Sequence, residues 1–211
     1  MRTAAAILLV FLGGFAIMVL EIIGARFLAR DFGSSFYVWV SQIGVVLTAL
    51  AGGYYTGGAV ADRFQRLSCL GWLLIPAGVA TCAIPDFGGR VIEFIVQRHP
   101  TDRAIPLLWQ KLDPALGGVL IFGLPCFALA TLPPFLIRLA TSELAHLGRI
   151  SGLVIAASTV GSIAGVFVSG YILIDHFTLS NIFRATGALT ILLGGMCWLM
   201  DRQKRPMTNE Q

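Results

Sequence analysis

Six long apolar runs alternate with short polar interruptions along this chain. The runs lie near residues 4–29, 36–61, 67–85, 114–137, 150–174 and 180–200. RDFGSS, DRFQR, a longer polar stretch, TSELAHLGR and DHFTLSN separate them, and DRQKRPMTNEQ follows the last. About 17–25 apolar residues suffice for a helix to cross a bilayer. The pattern therefore predicts an all-α polytopic membrane protein, with a six-span domain over 1–201 and a polar tail over 202–211. The third run is short and carries Pro76, and the fourth carries Pro125 and the pair Pro133–Pro134, so kinks are expected there. The first run is too long for a signal-peptide core and lacks a persuasive small-residue cleavage site, so it is read as a retained span.

Composition agrees with an apolar solvent. Of 211 residues, 56% are hydrophobic and 12% charged, against about 25% charged in a soluble domain. The net charge of +4 does not point to nucleic acid, because the basic residues flank spans instead of forming one patch. Their distribution predicts orientation. With the N-terminus inside, the inner side holds Arg2, Arg63, Arg66, Arg138, Arg149, Arg202, Lys204 and Arg205, against Arg26, Arg30 and Arg184 in the short outer segments. Both termini are thus expected on the cytoplasmic side, with the DRQKR tail as a membrane-edge anchor.

The segment 86–113 is the largest piece outside the predicted spans. Within GGRVIEFIVQRH, apolar Val91, Ile92, Phe94, Ile95 and Val96 are interleaved with Arg90, Glu93, Gln97 and Arg98. Two readings fit, a short helix lying on the outer interface and an ordered loop over the outer face. Neither makes a separate soluble domain.

Reactive chemistry is sparse. Cys69, Cys82, Cys126 and Cys197 all fall inside runs and form no CxxC, so small apolar packing is their default role. His99, His146 and His176 lie in different loops without metal-ligand spacing. GGYYTGG lies within or at the end of a span, not in a strand-to-helix phosphate loop. The hydroxyls of AASTVGSIAG lack a paired histidine and acid and read as helix-packing groups. No metal, cofactor or catalytic residue is expected, and the chain by itself is not expected to be an enzyme.

One residue stands out against this background. Glu21 is the single polar side chain between Gly13 and Ala25. A carboxylate at that depth costs a few kcal/mol unless it is paired, protonated or wetted. Arg26 is five residues on, roughly 140° around the helix, so the two do not share a face. Glu21 is expected to look into the bundle, with Gln42, Ser41 and Thr48 of the second span as its nearest candidate partners, while Arg26 and Arg30 snorkel to the interface. Small residues recur every four positions in two spans: Ala49, Gly53, Gly57, Ala61 and Ala157, Gly161, Gly165, Ser169. Each series makes a narrow strip that another backbone can approach. They occupy the middle helices of two three-span groups. Three is an odd number, so the groups are oppositely oriented, as in an inverted repeat.

The loop after the second span contains Gly58, Asp62, Arg63 and Arg66 in the pattern G-x-x-x-D-R-x-x-R, which resembles the loop motif of the major facilitator superfamily (MFS) at the same place. There an acidic side chain at a helix end pairs with neighbouring arginines and latches an inner gate; topology signalling by Arg63 and Arg66 is the competing reading. More specifically, LEIIGARFLARDFGSSFYVWVSQIGVVLTALAGGYYTGGAVADR, LPPFLIRLA and GRISGLVIAASTVGSIAGVFVSGYILI resemble the membrane domain of the fused MFS/spermidine-synthase-like family. Arg26, Gly33, Ser34, Tyr37, Trp39, Gly53 and Gly57 match its strongest block, whereas Asp175 and Ala156 depart from it. The soluble aminopropyltransferase-like module of fused members is absent from this sequence, so spermidine synthesis is not carried over. The resemblance implies a half-MFS-like 3+3 fold in a bacterial inner membrane.

Two functions follow as expectations. In the first, a homodimer encloses a path, and Glu21 exchanges a proton or contacts a small polar or cationic solute. In the second, the chain is a non-catalytic subunit or scaffold in a larger membrane complex, binding a separately encoded enzyme or other partner. A third and weaker expectation is the handling of hydrophobic molecules through 86–113.

Overall fold

In the computed structural model, residues 3–33, 35–100, 105–140 and 147–202 are described. Among them the chain is helical throughout, and six helices are long and apolar enough to cross a membrane. We number these α1 (Thr3–Phe32), α2 (Phe36–Phe64), α3 (Ser68–Val96), α4 (Leu107–Ala140), α5 (Leu147–His176) and α6 (Leu179–Arg202). Of the features named above, Arg2, Ser34, His146, Lys204 and Arg205 lie outside the described residues, as does most of the 202–211 tail.

Local chemistry explains the helix ends. Gly33 has φ +83°, a left-handed conformation that glycine adopts without a Cβ penalty, and it turns the chain out of α1. Gln65 caps α2 at φ 47°, its N–H bonding the Ala61 carbonyl at 3.1 Å.

The third helix is longer than its apolar run. Instead of stopping near residue 85 it continues to Val96, so the interfacial helix or loop expected over 86–113 is replaced by extensions of α3 and α4. The reason is a buried stripe at helical spacing, Ile84, Gly88, Ile92 and Ile95. Asp86, Arg90 and Glu93 occupy the exposed side of those turns, where Asp86 lies 3.7 Å from Arg184 of α6. Pro76 and Pro85 sit inside α3 without ending it.

In α4 the prolines leave visible marks. A π-turn, Val119–Gly123, immediately precedes Pro125, which has no N–H to give the preceding turn. Before Pro133 and Pro134 the helix breaks at Thr131, whose hydroxyl donates to the Ala128 carbonyl at 2.7 Å. A second π-turn, Ser169–Leu173, interrupts α5 without any proline.

Helices α1 and α4 form the middle of the bundle. The closest pairs are α1 with α5, α2 with α4, and α3 with α6. Small residues set these distances. A Cβ on Gly53 would lie 2.5 Å from the Phe127 carbonyl oxygen, and one on Gly57 would lie 2.6 Å from that of Thr131. On α5, Gly161 meets the Phe11 carbonyl and Gly165 that of Phe15. Gly78 of α3 faces the Gly187 carbonyl of α6. Ala49, Ala61 and Ser169 are buried along the same strips, and Ala157 is half-buried. The remaining core is aromatic and aliphatic. Phe27, Phe122 and Phe183 join α1, α4 and α6, with Phe27 edge-on to both partners at 6.4 and 5.5 Å.

These contacts predict a sharp difference between glycines. Gly161→Val should lower thermal stability in detergent by about 1–3 kcal/mol, the usual cost of overpacking, because its side chain must displace the α1 backbone. Gly44→Ala, whose Cβ meets open space, should leave the melting temperature unchanged or slightly raised.

Candidate functional site

Helices α2 and α5 are the least covered of the six. Only 28% and 22% of their most apolar windows are buried, against 56% for α1 and 61% for α4. The seam between them, with α4 at its base, holds a cavity of about 350 Å³. Tyr54 contributes from α2, Pro133, Pro134 and Ile137 from α4, and Ile155, Ser158 and Thr159 from α5.

By helical rotation Glu21 falls on the side of α1 that faces this seam, although it does not line the cavity itself. On α1, Gly13 abuts α4 and Gly24 abuts Gln42 of α2 and Phe122 of α4, whereas Gly14 and Met18 abut α5. Glu21 lies roughly 60° from Gly24 on one side and roughly 60° from Met18 on the other, at 100° per residue. It is half-buried and within electrostatic reach of buried Cys126 on α4. Gly14 is level with Ser158, so Glu21 sits about 10 Å farther along the seam, seven residues at 1.5 Å each. Among the described residues it makes no side-chain hydrogen bond or ion pair.

The partners expected for Glu21 are engaged elsewhere. Gln42 is fully buried, and its Nε2 donates to the Leu20 carbonyl at 3.5 Å while its Oε1 has no hydrogen-bond partner. It is wedged against Gly24 and Gly118, one turn from the carboxylate it was expected to meet. Ser41 Oγ donates to the Lys111 carbonyl at 3.2 Å, and Thr48 Oγ1 to that of Gly44 at 2.8 Å. Arg26 is exposed.

Near the end of α2 the acid is paired, but not with the arginines of its motif. Asp62 accepts a hydrogen bond from Arg138 Nε of α4 at 2.5 Å. Arg63 stacks over Phe64 with 5.5 Å to the ring centroid. Arg66 follows the left-handed Gln65 cap and is exposed. Gly58 is half-buried with open space at its Cβ position. Sequence neighbours diverge around a helix by about 100°, and the parallel α4 presents Arg138 at the right level.

At the opposite end lies a cluster that sequence reasoning missed. Asp113 is buried and accepts from Arg98 Nη2 and His99 Nε2, each at 2.7 Å. Arg98 also stacks over Trp109 at 5.1 Å. The three polar residues straddle the connection between α3 and α4, clamping those helix ends. Their separations of 14 and 15 positions follow no recognisable motif; an acid inside the first turns of a spanning helix was the only available signal.

Among the described residues, no group of three His, Cys, Asp or Glu side chains could hold a metal, and the four cysteines are free. The arrangement offers a carboxylate, a phenol and hydroxyls along an otherwise apolar seam, groups suited to holding a polar or cationic solute by contact. Comparison with protein-family models, curated proteins and solved structures gave no match.

The two ion-paired acids should differ in worth. Asp62 and Arg138 keep 67% and 49% of their side-chain surface exposed, so Asp62→Asn should cost at most about 1 kcal/mol. Asp113→Asn keeps one acceptor oxygen but removes the charge and sets an NH2 against the other donor at a buried site, and should cost about 2 kcal/mol or more. Thermal melting in one detergent checks the order.

Proposed function

We propose that this chain is half of a facilitator-type transporter, acting as a homodimer in the membrane and moving a small polar or cationic solute. The observation that carries the reading is the position of Glu21 on the seam flanked by the two least covered helices. A second copy laid over α2 and α5 would roof that seam and turn it into a path between halves.

The helix pairing supports an inverted 3+3 repeat. Exchanging the first three helices with the last three turns the α1–α5 pair into α4–α2 and leaves α3–α6 as itself, so the set of closest pairs is unchanged. The glycine contacts keep step under the same exchange. Gly53 and Gly57 rest on residues 127 and 131, and Gly161 and Gly165 rest on 11 and 15. Such repeats place binding sites at their interface near the membrane midplane, the level at which Glu21 lies within α1. The lysine and arginine distribution favours cytoplasmic termini, and the resemblance to the fused MFS/spermidine-synthase-like membrane domain favours a bacterial inner membrane.

A second reading has its own observation. An open groove of about 630 Å³ runs between α2 and α4, lined by Gly44, Thr48, Ala49, Ala115 and Gly123 among others. Small residues of this kind admit a helix from another protein, as a subunit or scaffold would require.

Gentle purification from native membranes followed by mass measurement of the intact complex separates the two. A homodimer is expected, and stoichiometric recovery with unrelated subunits would sink the autonomous transporter. In proteoliposomes, Glu21→Gln should reduce uptake of a cationic amine probe by about tenfold or more, since 1.4 kcal/mol of lost interaction is a factor of ten. The dimer and its melting temperature should be unchanged.

A further inference from the structure

The end of the bundle that carries Asp62 holds a second polar site, remote from the α2–α5 seam. The first turn of α3 and the last turn of α6 enclose a cavity of about 310 Å³ lined by Ser68, Trp72, Trp198, Asp201 and Arg202. Ser68 Oγ donates to Asp201 Oδ2 at 2.8 Å. That bond fixes the carboxylate and leaves Oδ1 without a hydrogen-bond partner among the described residues. The Arg202 guanidinium lies over the Trp198 ring, 4.3 Å from its centroid. Stacking of this kind holds the planar group in place while its edge N–H donors remain available. Arg66 approaches the same corner beside Cys69. Trp72 is 75% exposed at the end of an apolar span, the level at which tryptophan favours the headgroup region.

We infer that this cavity binds the headgroup of a zwitterionic aminophospholipid, phosphatidylethanolamine, from the adjoining leaflet. An acid and a base stand side by side, matching an ammonium and a phosphate joined by a two-carbon link. The primary ammonium donates N–H bonds to Asp201 Oδ1 against the indole faces. The phosphate accepts from Arg202. The acyl chains run down the exposed apolar surface around Trp72. A quaternary choline has no N–H to give Asp201, and a glycerol headgroup has no cation, so the site discriminates by headgroup. This inference needs the helices to span a bilayer, but it does not need the chain to transport anything.

Native mass spectrometry of the detergent-purified protein tests it, with phosphatidylethanolamine, phosphatidylcholine and phosphatidylglycerol of identical acyl chains offered in equal amounts. Retention of phosphatidylethanolamine above both others is expected. Asp201→Asn should reduce its preference over phosphatidylcholine by about three- to fivefold, the size of one partly exposed charge interaction. Arg202→Gln should weaken all three lipids together. Equal retention of phosphatidylethanolamine and phosphatidylcholine by the unaltered protein would overturn the assignment. So would an unchanged preference in Asp201→Asn; if that variant does not fold, undiminished retention in Arg202→Gln decides against the site. Soluble phosphoethanolamine that displaces the lipid at equal concentration would show a free headgroup compound to be the ligand and overturn the lipid assignment. Loss of solute flux in proteoliposomes would leave this result standing, and loss of headgroup preference would leave the flux result standing.

Discussion

Backbone-to-backbone approach between paired helices is the constraint on which this bundle depends. In a bilayer, lipid chains are as apolar as leucine, so burial of apolar side chains gives helices little reason to associate. Close van der Waals contact must do so instead, and it requires side chains small enough to let two backbones meet. Gly53 and Gly57 meet α4 in this way, Gly161 and Gly165 meet α1, and Gly78 and Gly187 meet each other. Three pairs fixed at short range leave α1 and α4 in the middle and expose one side each of α2 and α5. The seam containing Glu21 is a consequence of that arrangement.

Polar groups then divide by depth. Toward the helix ends, charges pair across helices: Asp62 with Arg138, Asp113 with Arg98 and His99, Asp86 with Arg184. These bonds tie the ends of helices whose middles are tied by glycine. Inside, threonine hydroxyls turn back on their own helix, as Thr81 does to Ala77 and Thr190 to Thr186, whereas Ser162 of α5 donates to the Gly14 carbonyl of α1 at 3.3 Å. The threonine bonds satisfy their donors without linking helices. Glu21 and the Gln42 carbonyl oxygen fit neither pattern. A half-buried carboxylate facing a seam and a buried amide oxygen without a partner leave the interior open around the middle of α1, and the buried Ser169 hydroxyl of α5 is likewise without a partner.

The same division explains which parts of the site were legible in advance. Glu21 is conspicuous because hydrophobicity is a property of composition, and one acid among apolar residues needs no structure to be seen. Its surroundings were misread. Gln42 looked like its partner because it is the next amide along the chain, yet the axial offset of α2 brings it to Leu20 and Gly24. The Asp62 motif looked self-contained, but helical rotation turns Arg63 away and the chain reversal at Gln65 separates Arg66. The Asp113 clamp gave no sequence signal beyond a buried acid. Its partners lie across a helix connection, and nothing in their spacing marks them.

The sequence by itself determined the six helices and their apolar character, because transfer of a segment into oil depends on its local composition and length. It also determined where backbones can approach, since a strip of glycine and alanine is visible wherever it recurs at helical period. Tertiary structure alone decided which strips meet, how far α3 extends, and which charges pair. The α3 extension shows the reason in miniature. Residues 86–96 carry Asp86, Arg90 and Glu93 among apolar neighbours, but Gly88, Ile92 and Ile95 continue a buried stripe whose Gly88 packs on Phe27, and a neighbour's surface outweighs the interruption by charge. Pairings such as Asp62–Arg138, 76 positions apart, depend on the rotation and offset of one helix against another, and those are fixed only when all the contacts are satisfied together.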